Sequence, residues 1–346
     1  MKERKHPMPL LQLVDLKTTY RTEKGNVKAV DGVSFRIERG MNYGLVGESG
    51  CGKSTLVKSI IACLPPNAFI AGGQVFFEGN DLTSLDDDIL RKIRWKQISM
   101  ITQSAMNALD PVYSVGSQIV EAIQTHEKVG YSEAKERVEK MFALVGIEKN
   151  RFSNYPHQFS GGMRQRSIIA MALILEPSLV IADEPTTALD VIVQDQIFKK
   201  IRELQTIIGF SMLLVTHDIA VVIENCGEIA VMYGGKMLEL GDIREVIDNP
   251  FHPYTMGLKN SFPNIRNRHN EPISIPGFPP NLIGDLVGCR FYLRCPFSFE
   301  NCSLEEPKMT QVGKNHYVAC HNIKNADEIR ERAEHPETWK QKISLQ

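Results

Sequence analysis

The clearest chemistry in this chain lies in nine consecutive residues, Gly47-Glu48-Ser49-Gly50-Cys51-Gly52-Lys53-Ser54-Thr55. Their pattern, G-x-x-x-x-G-K-[ST], is that of a loop that cradles phosphate. Glycines let successive backbone N–H groups converge on one anion, because no Cβ blocks the approach. A helix start adds unsatisfied donors and a favourable dipole. Lys53 can reach β- and γ-phosphates, and the Ser54 hydroxyl can ligate Mg²⁺. Cys51 is expected to pack as a small residue and to lend its backbone N–H, not its thiol. The plainer alternative is a glycine turn ahead of an ordinary helix.

Other groups carry related chemistry. Ser160-Gly161-Gly162 opens an apolar helix and makes a second anion-binding terminus, with a simply capped helix as the alternative. The apolar run from Ser178 ends in Asp183-Glu184-Pro185. There Asp183 would hold Mg²⁺ and Glu184 would polarise an attacking water as general base. His217 follows another apolar run, where open α/β sheets place ligand groups. Gln103 ends a further run and could touch Mg²⁺ or an attacking water, though by itself it is an ordinary strand-end residue. Tyr20, upstream of the loop, offers a flat face for a base, though a lone aromatic at a strand end is more often packing.

These residues need elements to hold them. Tyr43–Val46 reads as a buried strand before the loop and Thr55–Cys63 as the helix after it, which is the context that a phosphate loop requires. Leu10–Val14, Val33–Ile37 and residues 72–80, separated by turn-prone stretches, predict an antiparallel β-layer. Ile98–Gln103, Ser178–Asp183 and Ser211–Thr216 predict strands, the second buried in a parallel sheet. Val138, Met141, Phe142 and Val145 share one face of a helix from Ser132, stopped at Gly146. Ile229–Tyr233 and Lys236–Leu240, with Gly234-Gly235 between them, predict a hairpin.

Composition bounds the classes. At 346 residues, 42% hydrophobic and 23% charged, the chain reads as a soluble globular protein of one large and one smaller domain, or of two domains. A net charge of −1 gives no sign of a nucleic-acid partner. No apolar run approaches the roughly 18–20 residues of a membrane span, and no signal-peptide core follows the charged N-terminus, so the cytosol is expected. Of seven cysteines, Cys51, Cys63 and Cys226 are scattered, whereas Cys289, Cys295, Cys302 and Cys320 cluster. In a reducing compartment that clustering suggests a metal before disulfides, and four thiolates suit either zinc or iron–sulfur.

Taken in order, Tyr20, the 47–55 loop, Gln103, Phe159-Ser160-Gly161-Gly162-Met163, Asp183-Glu184, Ala188-Leu189-Asp190 and His217 resemble the ATP-binding subunit of ABC transporters. Phe159 and Met163 stand where the general signature has Leu and Gln, outside the Ser-Gly-Gly core. The resemblance implies an α/β P-loop fold with a mixed sheet core, an antiparallel β-layer and a helical subdomain at about 104–175, within an ATPase domain at 8–260. It implies ATP and Mg²⁺ as ligands and a site completed by a second ATPase subunit, whose signature closes over the γ-phosphate. Asp190 joins the nucleotide site on the same ground.

Asn249-Pro250-Phe251-His252-Pro253-Tyr254-Thr255, Gly288-Cys289-Arg290-Phe291, Arg294-Cys295-Pro296 and Val318-Ala319-Cys320-His321 resemble the oligopeptide and dipeptide importer branch. This implies a small Cys-rich extension at 261–325, followed by a charged tail at 326–346. It chooses a [4Fe–4S] cluster over Zn²⁺ for the four cysteines. It also implies a heterodimer of ATPases beneath two transmembrane permease subunits, fed by an extracytoplasmic binding protein, on the cytoplasmic face of the membrane. Importers of nickel, glutathione or sugars belong to the same branch and remain alternatives. So does a soluble, non-transport ABC ATPase, although a single cassette without sustained heptads disfavours it.

Overall fold

Runs rich in β-branched and aliphatic residues, punctuated by glycine turns, become strands here. The computed structural model describes residues 8–102, 108–186, 189–261 and 273–340, so Gln103 and Ala188 lie outside the described residues. The described strands are β1 (Leu11–Thr22), β2 (Gly25–Ile37), β3 (Asn42–Val46), β4 (Ala68–Phe77), β5 (Asn80–Asp81), β6 (Ile98–Ile101), β7 (Leu179–Asp183), β8 (Ser211–Thr216), β9 (Glu228–Tyr233), β10 (Lys236–Asp242), β11 (Thr310–Gly313) and β12 (His316–Val318). They fall into two units. One holds residues 8–10 and 37–41 with the described part of 77–215; the other holds 11–36, 42–76 and the described part of 216–340.

In the first unit β6, β7 and β8 are parallel, with Ile101 opposite Ala182 and Asp183 opposite Val215. Every residue of β7 is buried, as a strand covered on both faces must be. The helices Val115–His126, Tyr131–Leu144 and Gly161–Leu173 bury Ile119, Ile123, Val138, Phe142 and Ile169. The second of these begins one residue before the expected Ser132, capped by Gly130, and ends ahead of the left-handed Gly146 (φ 73°).

In the second unit β1 and β2 form a hairpin around Glu23-Lys24, and β4 lies on the other side of β1. Both hairpin strands are longer than Leu10–Val14 and Val33–Ile37 suggest, because the ladder continues through polar residues whose partners lie across the strand. Burial along β1 shifts by one residue after Leu13, at Asp15 (φ 47°), as a β-bulge requires; Asp15 N–H donates to Ser34 Oγ at 2.8 Å. β3 runs parallel to β9, β9 pairs with β10 across Gly234-Gly235, and β12 joins the far side of β10 with β11 beyond it.

Residues after 273 therefore draw their packing from the sheet. Phe291 is fully buried, 5.3 Å edge-on from Tyr233 and 5.2 Å from Tyr254 between ring centroids. Glu239, with no exposed surface, accepts from the backbone N–H groups of Phe251 and His252 and meets His316 Nε2 at 2.7 Å. Trp339 is 2% exposed and closes against Gly257, where a Cβ would come within 2.7 Å of its ring.

Candidate functional site

β3 ends at Val46 and the helix Lys53–Ile60 begins seven residues later. The turn between them is enforced by close packing. A Cβ on Gly47 would lie 2.1 Å from the Met232 carbonyl oxygen. Gly52, at φ 107°, would put one 2.1 Å from the carbonyl oxygen of Ala29. No side chain caps the helix that Gly52 opens, so its first-turn donors remain for a ligand. Ser49, Gly50 and Ser54 are exposed and Thr55 is half-buried. Lys53 is 6% exposed, and its Nζ donates to the carbonyls of Gly47 at 2.6 Å and Glu48 at 3.0 Å, which holds the ammonium inside the curve of the loop. Cys51 is 1% exposed, its N–H donates to the Glu48 carbonyl at 3.3 Å, and burial pushes its thiol pKa up. Tyr20 OH lies 3.2 Å from Thr55 Oγ1, so the aromatic stands beside the end of the loop. Behind it, Thr18 and Ser59 share a buried hydrogen bond of 2.7 Å that ties the helix to β1.

Glu48 is held from an unexpected direction. Its N–H donates to Tyr254 OH at 2.9 Å, and its carboxylate takes both terminal nitrogens of Arg294, at 2.6 and 3.0 Å. Burial opposes charge on Arg294, but hydrogen bonds to Glu48 and Tyr233 more than offset it and raise its pKa. Sequence reasoning assigned neither Arg294 nor Tyr254 a role, and no local pattern links positions 246 residues apart.

The first unit carries the signature and the carboxylates. Ser160 is exposed and caps the helix Gly161–Leu173, accepting from Met163 N–H at 3.3 Å, while Gly161 and Gly162 are half-buried. A groove of about 530 Å³ beside them is lined by Ser160, Gly162, Arg166, Lys199, Lys200 and Glu203 among others. Asp183 ends β7 with 6% exposure. Glu184 follows in the left-handed region, φ 47°, and its N–H donates to Val215 O at 2.7 Å. That backbone costs about 1–3 kcal/mol in a non-glycine residue, a strain typical of functional sites. Asp190 caps the helix Val191–Ile208 by accepting from Val193 N–H at 3.0 Å. His217, in the second unit, is exposed at the end of β8.

Residues 30–187 match the family profile "ABC transporter", and residues 238–302 match "Oligopeptide/dipeptide transporter, C-terminal region". The dipeptide transport ATP-binding protein of Bacillus subtilis is 44% identical over 314 residues, 90% of this chain and 94% of that protein. This chain belongs to the oligopeptide/dipeptide ABC transporter ATP-binding family. The oligopeptide transport ATP-binding protein of Escherichia coli is 42% identical over 300 residues, covering 86% of this chain and 89% of that one. Among solved structures, the ATP-binding cassette MJ0796, a dimer bound to ADP and phosphate, superposes with a TM-score of 0.61 at 27% identity over 68% of this chain and 99% of that one. The P-loop ABC ATPase fold and the capacity to hydrolyse ATP follow from this membership.

The four-cysteine expectation fares differently. The cysteines form no disulfide; Cys289, Cys295 and Cys302 are buried and Cys320 is half-buried. Among the described residues, no group of three or more His, Cys, Asp or Glu is arranged to hold a metal ion. Burial pushes Cys289 up to about 11 and Cys320 to about 12. Backbone N–H groups of Phe291 and Tyr292 act on Cys289, and Asn322 N–H donates to Cys320 Sγ at 3.4 Å.

Proposed function

We propose that this chain powers uptake of dipeptides or oligopeptides, binding ATP on the 47–55 loop and hydrolysing it between two ATPase subunits. The observation that carries the reading is the uncapped helix behind a glycine loop that already encloses the Lys53 ammonium. Loop N–H groups and Lys53 would bind the phosphates and Tyr20 would stack on the base, a reading supported by its contact with Thr55. The Ser54 hydroxyl and the Asp183 carboxylate are the hard oxygen donors that Mg²⁺ takes, and the ion would neutralise phosphate charge. Glu184 would accept the proton of the attacking water, His217 and Gln103 would orient the reacting groups, and Asp190, which caps the helix Val191–Ile208, would join the nucleotide site. Ser160, Gly161 and Gly162 complete the partner's site. Two features support a partner: Ser160 of the signature is open to solvent, and Val191 and Ile192, next to Asp190, are 80% and 72% exposed.

No helix among the described residues is long and apolar enough to cross a membrane, so permease subunits would make the crossing. The relatives' names support peptides as cargo. A heterodimer, a binding protein outside and a place on the cytoplasmic face complete the assembly. We also propose that Cys289, Cys295, Cys302 and Cys320 ligate an iron–sulfur cluster. Cys289, Cys302 and Cys320 lie close enough to influence one another electrostatically, and backbone N–H groups are directed at the sulfurs of Cys289 and Cys320, which supports this. Iron, sulfide and zinc analysis after anaerobic purification tests it, and protein without metal refutes it.

The functional reading is tested by Glu184→Gln in the assembled complex. Loss of the base should lower turnover about 10²–10⁴-fold while ATP binding persists. Turnover close to the parent's would remove Glu184 from the role.

A further inference from the structure

All five N–H donors of Arg294 are in use. Nε donates to Pro276 O at 2.8 Å; Nη1 donates to Glu48 Oε2 at 2.6 Å and to Tyr233 OH at 3.2 Å; Nη2 donates to Glu48 Oε1 at 3.0 Å and to Ile275 O at 3.0 Å. The planar fork grips a carboxylate bidentately, which a lysine cannot reproduce. Arg294 is only 7% exposed, so solvent screens the pair little. The residue it grips is the second of the phosphate loop. Glu48 carries a negative charge where the loop must attract phosphates, and its carbonyl oxygen is one of the two that Lys53 Nζ donates to. Its backbone N–H is engaged by Tyr254, whose ring lies 4.8 Å from Tyr233. The loop is thus joined to the 273–295 segment through one side chain and to the helix Pro253–Asn260 through one backbone bond.

We propose that Arg294 is a positioning residue for ATP binding: it neutralises Glu48 and holds the Glu48 carbonyl where it orients Lys53, so that nucleotide affinity depends on the C-terminal segment. This rests on the 47–55 loop being the ATP site.

The test uses the full-length chain assembled with its transporter partners and reads KM for ATP against kcat. Arg294→Gln is shorter, its amide reaching about as far as Nε, so it retains a donor for the Pro276 carbonyl while removing the charge and the fork. It should raise KM about fivefold with kcat within about twofold, as loss of ground-state binding does. Glu48→Gln in the same background removes the orphaned carboxylate and should bring KM back to within about twofold of the parent, a coupling expected only of residues in contact. A strut role would leave the double variant as impaired as Arg294→Gln. An unchanged KM in Arg294→Gln, or no recovery in the double variant, overturns the proposal. So does failure of both variants to assemble. If only Arg294→Gln fails to assemble, a double variant that assembles with near-parental KM supports it. Lys53→Ala separates the two readings: if that complex still turns over ATP like the parent, the ATP-site reading itself fails, and this proposal with it.

Discussion

Replacing Gly52 by alanine combines two penalties that the structure separates. The first is conformational: φ is 107° at Gly52 and 78° at Gly50, and an L-residue forced to positive φ costs roughly 1–2 kcal/mol. The second is steric: a Cβ at Gly52 would sit 2.1 Å from the Ala29 carbonyl oxygen and 2.8 Å from the end of Met232, whereas at Gly50 nothing lies within 4 Å. The Met232 thioether can swing aside, but the Ala29 carbonyl belongs to β2 and cannot move without the hairpin. Gly50→Ala should therefore show the conformational penalty alone, about 1 kcal/mol or some fivefold in ATP affinity if all of it falls on the bound loop. Gly52→Ala adds an unrelievable contact and should exceed about 2 kcal/mol, roughly thirtyfold. Equilibrium binding of a fluorescent ATP analogue to each purified variant gives the ratio, with thermal unfolding as a check that the rest of the chain is intact. Equal losses in the two variants, or parental affinity in Gly52→Ala, would refute the claim that the approach of β2 shapes the loop.

Other outcomes follow from buried groups. His252 is 1% exposed, and burial lowers its pKa from 6.5 to about 3; its Nδ1 accepts from Tyr254 N–H at 3.0 Å. The folded state binds fewer protons than the unfolded state between these values, so stability is full above pH 6.5 and falls as pH drops toward 3. Urea titrations at pH 7 and pH 5 should show about 2 kcal/mol more loss in the parent than in His252→Asn, which can still cap the helix; equal losses would contradict it. Burial also pushes Cys226 up to about 12, alongside Cys289 and Cys320, whereas Cys63 is exposed. Iodoacetamide at pH 8 should label Cys63 first in metal-free protein, because thiolate at a pKa near 12 is about one part in ten thousand. Comparable labelling of Cys226 by mass spectrometry would refute the packing.

Legibility in the sequence tracked locality. Strand, loop and helix around Lys53 could be read because each obeys a short-range rule, and so could the buried β7 run and the hairpin at Gly234-Gly235. The ATPase fold followed from those pieces taken in order. The left-handed backbone of Glu184 could not be read, because a strand-end carboxylate announces nothing about φ. The extent of β1 and β2 depended on cross-strand partners that periodicity does not see. Arg294 on Glu48 was the least visible feature: only the closing of residues 273–340 onto the sheet brings it there. Nor does the spacing of the four cysteines show that Phe291, His316 and Trp339 around them are buried.

β12 has one more consequence. A strand's outer edge is a row of unpaired N–H and C=O groups that invites another chain, and proteins protect such rows by covering them. Here Tyr317 and Val318 lie against Leu240 and Glu239, so that side of β10 is paired from within. A chain cut before Thr310 would uncover it, with Met237, Leu238 and Leu240 along the exposed strand. Proteolysis or premature termination at that point would yield a self-adhesive protein even if its phosphate loop were sound.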